Sequence, residues 1–204
     1  RSGAYLRTKV TPVNAQTTYQ QAVRSRLAGF SSAWRALTQA QRDAWNTAVA
    51  SFARTNIFGD LVNPTGKNLY NGLNQNISNI GGTAITTPPT PVAVVETGAL
   101  SLTMADPTTL ANVEIVLTTV DAAQDYIVFA TSQVSPGIGF FKNRYRQIMV
   151  HSGSLGVTID ATSRYIAKFG NPVLAQKASF KVVPIVTLTG QAGVGSTVDG
   201  ITTV

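Results

Sequence analysis

The sequence predicts a two-part α+β protein, with a helical front segment followed by an antiparallel β-sandwich. Three features of the 204-residue chain predict it: apolar residues recur at helical spacing ahead of residue 86 and alternate with period two beyond residue 98, three prolines lie between the two patterns, and the charge divides there as well. Residues 1–86 hold nine Lys or Arg against Asp43 and Asp60, a net +7; residues 87–204 hold seven of each sign. Thr86-Thr-Pro-Pro-Thr-Pro91 removes backbone donors and forbids helix, so an extended linker is expected over residues 87–91. The expected division is a basic arm plus helical region over 1–86, the linker, and a sandwich domain over 92–204.

In the front segment Tyr19, Val23, Leu27, Phe30, Trp34 and Leu37 fall on one stripe, which predicts a helix from about Thr17 to Leu37 with that face buried. Thr38-Gln-Ala-Gln41 reads as a capping box, because a threonine hydroxyl and a glutamine three residues on can satisfy each other's early backbone N–H groups. The stripe of the next helix is Trp45, Ala48, Val49 and Phe52, so the two helices are expected to form a hairpin. Pro64-Thr-Gly66 opens a third segment with Leu69, Leu73, Ile77 and Ile80 on one face and Asn68, Asn71, Asn74, Asn76 and Asn79 taken as its polar side. Gly81-Gly82 ends it. Asparagine is a poor helix former, so packing has to stabilise this helix.

Beyond the linker, alternation predicts short strands around Leu100–Met104, Val113–Leu117, Ile127–Phe129, Ile148–Val150, Val157–Ile159 and Phe180–Val182, with the named apolar residues facing inward. Asp106-Pro107, Ser135-Pro-Gly137, Ser152-Gly153 and Gly190 supply turns. Strands this short, punctuated about every dozen residues, point to an immunoglobulin- or fibronectin-like sandwich. Tyr165, Ile166 and Phe169 predict a helical turn over Ala161–Phe169.

Composition narrows the chemistry. No cysteine is present, which excludes disulfides, thiolate metal sites and a cysteine nucleophile. No apolar run approaches the ~18 residues of a membrane span, and no cationic start leads into an apolar signal segment. The chain begins at Arg1, from which a processed or truncated product is expected. Charged residues are only 12% of the chain, a surface that costs little to desolvate against a neighbour and so favours a subunit of an assembly.

Catalysis at neutral pH needs a tuned acid or base beside a nucleophile or metal. The single histidine, His151, adjoins Ser152-Gly153 without an acid placed to orient it, and is expected to be a solvent-exposed turn residue. Asp121 and Asp125 read as a polar turn rather than a calcium loop, which needs six or more oxygen ligands. The glycines of Ser135–Gly139 and Gln191–Gly195 precede no helix that would hold a phosphate. No catalytic residue, metal or cofactor is expected, and the protein is not expected to be an enzyme. The remaining candidates are cations: Arg1, Arg7 and Lys9 in an arm, and Arg24, Arg26, Arg35, Arg42 and Arg54 on the helices, as contacts to a protein partner or to nucleic acid. Tyr19, Trp34 and Trp45, interleaved with them, are read as core.

The stretches Gly3–Asn14, Gln20–Arg24, Ser32–Trp45, Gly66–Asn74, Tyr165–Gly170 and Thr189–Gly193 resemble a family of uncharacterised proteins encoded in bacteriophages and Bacteroidota-type genomes. Members of that family usually carry a short glycine-rich segment ahead of the position matching Gly3, which agrees with truncation. The resemblance implies a virion-type structural role. The function expected is therefore a structural subunit of a phage or phage-like particle, capsid-associated, connector or filament-forming, partnered by its own copies or by other structural proteins. The alternatives are a nucleic-acid-binding protein and an extracellular filament or cell-surface subunit.

Overall fold

The structure, a computed structural model, describes residues 16–106 and 112–204. It is mixed α and β, with helices toward the N-terminus and antiparallel sheets after them. Contacts divide the chain into two units, one ending at Ala36 and one running Leu37–Val204.

In the first unit α1 spans Thr18–Ala36. Its start is fixed by reciprocal bonds, in which Gln20 N donates to Thr17 Oγ1 and Thr17 N to Gln20 Oε1, both at 3.3 Å. The expected burial of its stripe needs correction. Phe30 is buried and Trp34 half-buried, but Tyr19, Val23 and Leu27 are exposed. Spacing defines an apolar face without saying what covers it.

The second unit opens with α2, Gln39–Ala48, whose capping box forms as the residue pattern requires: the Thr38 hydroxyl accepts from Gln41 N, and Thr38 N donates to Gln41 Oε1 at 2.9 Å. A short 3₁₀ turn, Val49–Phe52, follows. Two-residue strands β1 (Arg54–Thr55) and β2 (Leu61–Val62) then form a hairpin, and α3 runs Gly66–Asn79 from an N-cap at Thr65. Within this unit α2 packs on α3. Trp45 is fully buried edge-on against Tyr70, with ring centroids 5.3 Å apart, and its indole Nε1 donates to Thr86 O at 2.9 Å.

The asparagines of α3 are not a solvated face. Asn74 is fully buried; its Nδ2 donates to Tyr70 O and Ile85 O, and its Oδ1 accepts from Ile85 N at 2.7 Å. Asn76 Nδ2 donates to Gly190 O at 2.8 Å. Gly190 itself lies so close to the Leu73 carbonyl, with φ at +71°, that a β-carbon would both collide and strain the backbone. The segment from α3 to the first strand of the sheets carries no regular element, yet amide side chains hold it. Gln191 bonds Val92 in both directions, and buried Gln124 pairs its amide with Val95 N and O.

Two antiparallel sheets follow. One orders β3 (Leu100–Ala105), β4 (Asn112–Leu117) and β7 (Thr158–Asp160); the other orders β6 (Arg146–Ser152), β5 (Gln124–Ala130), β8 (Lys177–Val186) and β9 (Ser196–Ile201). Met104, Val113, Ile115, Leu117 and Ile159 from the first sheet share one core with Tyr126, Val128, Ala130, Phe180 and Val182 from the second. Helix α4, Thr162–Phe169, inserts Tyr165 into that core, stacked on Phe180 at 5.5 Å.

Strand β5 departs from expectation. Tyr126, Val128 and Ala130 join the shared core, so Ile127 and Phe129 face the other way. Ile127 is nevertheless buried. A central strand covered on both faces is apolar at every position, so alternation cannot reveal which set points inward. A bulge between Val128 and Phe129 adds to the ambiguity.

Candidate functional site

His151 is the penultimate residue of β6, and its placement corrects the expectation of an exposed turn residue: it is buried, opposite Tyr126 in the sheet. Its Nε2 lies 3.0 Å from Gly156 O, and with a carbonyl as acceptor the ring nitrogen is the donor. Ser152 bonds Ser154 instead, at 3.1 Å. The ring is thus engaged with backbone rather than with a nucleophile. Asp121 closes a turn, its Oδ1 accepting from Ala123 N. Among the described residues no three histidine or carboxylate side chains gather as a metal site, and no helix is long and apolar enough to cross a membrane.

The candidate cations are spread over several elements. Arg24, Arg26 and Arg35 belong to α1, with Arg24 and Arg35 on one flank of the apolar stripe and Arg26 on the other, by the helical repeat. No acid lies in that helix. Arg42, on α2, reaches Gln39 Oε1 at 3.2 Å, and Arg54 opens β1 on the surface. Arg1, Arg7 and Lys9 lie outside the described residues.

What the structure adds is apolar surface, in two places. The first is the Tyr19, Val23 and Leu27 stripe of α1. The second is the β1–β2 hairpin, in which every strand residue is exposed and the turn between them presents Ile57 at 93% and Phe58 at 81% exposure. Large apolar side chains at a loop tip usually collapse onto something, but here a polar clasp holds them out. Asn56 Oδ1 accepts from Phe58 N (2.8 Å) and Asp60 N (2.9 Å), Asn56 Nδ2 donates to Asp60 Oδ2 (3.1 Å), and Asn56 N donates to Asp60 O (2.9 Å). Four bonds from one side of the turn fix its conformation before any partner arrives.

The turn chemistry of Asn56, Gly59 and Asp60, between Arg54-Thr55 and Leu61-Val62, is the local signal for this hairpin, and the helical reading of the front segment passes over it. No local signal announces the exposed half of α1, since apolar residues at helical spacing read the same whether their face is covered or not. No family model, curated protein or solved structure matches this chain.

Proposed function

We propose that this protein is a non-enzymatic structural subunit of a phage or phage-like particle, and that it assembles with further copies of itself through its helical front segment. The observation that carries the reading is the outward apolar stripe of α1, with the clasped Ile57–Phe58 tip as a second contact of the same kind. Burying one such side chain stabilises by about 1.5–3 kcal/mol. Burial of Tyr19, Val23 and Leu27 against a neighbour would therefore contribute on the order of 5 kcal/mol. A stripe of this kind, rimmed by arginines, suits a specific interface better than a solvated face. The particle setting rests on the resemblance noted in the sequence, and the C-terminal sheets are taken as an immunoglobulin- or fibronectin-like sandwich within it.

Sedimentation velocity over a range of concentrations tests the reading. The full chain is expected to populate oligomers, with Leu27→Asp and Phe58→Asp each shifting it toward monomer while matching the parent's melting temperature at concentrations where both are monomeric, because neither side chain is part of the core. A chain that stays monomeric at every concentration sinks self-assembly.

A further inference from the structure

The C-terminal half is electroneutral by count, but its charges are not evenly placed. The loop joining β5 to β6 folds over the outer face of the four-stranded sheet, burying Phe141 and leaving a groove of about 410 Å³ between itself and strands β8 and β9. That volume lies within the roughly 300–1,000 Å³ of small-ligand clefts. Lys142 lines one wall and Lys181 the other, and of the seven acids in this half only Asp199 reaches the groove. Asp199 is already neutralised by Lys177 at 2.9 Å, whose ammonium also sits 5.3 Å from the Phe141 ring centroid. No carboxylate pairs with Lys142 or Lys181 among the described residues, so the groove carries net positive charge. Arg144 and Arg146 follow Lys142 along the same wall's chain.

The rest of the lining is suited to a hydroxylated ring. Phe140 stands at the rim, 65% exposed. At the floor the Tyr145 and Ser179 hydroxyls are 2.7 Å apart, with Ser179 buried, and Thr197 lies on the β9 side. Lys181 is aimed by a close approach: its side chain occupies the space a β-carbon at Gly195 would need, so glycine there lets the ammonium lie along the groove.

We propose that this groove binds an acidic saccharide. The acid group meets Lys142 and Lys181, the C–H face of the sugar packs on the electron-rich face of Phe140, and ring hydroxyls bond Tyr145, Thr197 and the Asp199 carboxylate. A DNA strand has the charge but few hydroxyl donors for Asp199, and single-stranded nucleic acid calls for successive aromatic platforms where the groove offers one exposed ring. This site is independent of the assembly surface, which lies on other residues.

Calorimetric titration of the full chain with oligogalacturonate and with a heparin hexasaccharide covers carboxylate and sulfate as the acid group, with maltohexaose and a short oligothymidylate as the neutral and nucleic-acid arms. Binding of at least one acidic sugar is expected, with no heat from maltohexaose, and affinity about tenfold weaker in both Lys181→Gln and Phe140→Ser. Thr197→Asp, an exposed change at the rim, is expected to weaken binding by repulsion and keeps the test valid if either other variant misfolds. No binding of either acidic sugar, undiminished binding in the variants, equal binding of maltohexaose, or preference for oligothymidylate would each overturn the assignment.

Discussion

Asn74 sits at the centre of α2, α3 and the irregular segment, and its amide does for Ile85 what a neighbouring strand would do. Truncation leaves the Ile85 N–H and C=O without that partner in a part-buried site, a loss of about 2 kcal/mol. Urea unfolding followed by far-ultraviolet dichroism should register that loss in Asn74→Ala, whereas Asn68→Ala, at an exposed position of the same helix, should stay within about 0.5 kcal/mol of the parent. Acid stability offers a second residue-level check. The Thr162 hydroxyl, and after it the Thr162 N–H at 2.9 Å, hold the Asp160 carboxyl below its usual value of 3.8. A carboxyl lowered in the folded state stabilises fully above the unfolded value, and that contribution fades as the pH falls through the lowered one. Asp160→Asn should therefore be less stable than the parent at pH 6, and the gap should narrow as the pH falls below the unfolded value of 3.8. Neither role was legible in the sequence. The same asparagine spacing describes a wet face and a buried amide bracket, and only the course of the chain eleven residues later decides between them.

Helix ends were the most legible elements. Thr38 with Gln41, and Thr65 ahead of Gly66, cap α2 and α3 through bonds spanning three residues, so the sequence contains both partners. Thr38→Ala should cost about 1 kcal/mol, read as a lower melting temperature with unchanged far-ultraviolet dichroism away from the transition. Six strands were legible in position, as Leu100–Ala105 and Asn112–Leu117 bear out, but not always in facing, and β9 was missed because Thr197, Asp199 and Gly200 leave no apolar alternation to read. At β5 both faces are covered, so no alternation survives to be read. The basic groove was invisible for a different reason. Its walls come from residues 139–145 and 179–199, and no window along the chain holds both.

At the scale of the molecule, charge follows the compact units more closely than the proline run. Six Lys or Arg and no acid precede Leu37, while ten stand against nine acids from Leu37 onward. A protein beginning at Leu37 retains α2, α3, both sheets and the shared core, and is expected to melt in one cooperative transition and to leave a cation exchanger at much lower salt than the full chain. Differential scanning calorimetry checks the first outcome, and broad melting without a peak would show that the preceding residues are needed for its folding. The proline-bearing stretch lies inside this unit, anchored upstream where Asn74 holds Ile85 and downstream where Gln191 and Gln124 hold Val92 and Val95. Mechanical load entering from the N-terminal side must then tear those amide anchors before it can tug on β3. Under stretching, the protein should yield first at the side-chain brackets and keep its sheets whole, much as a seam gives before the cloth.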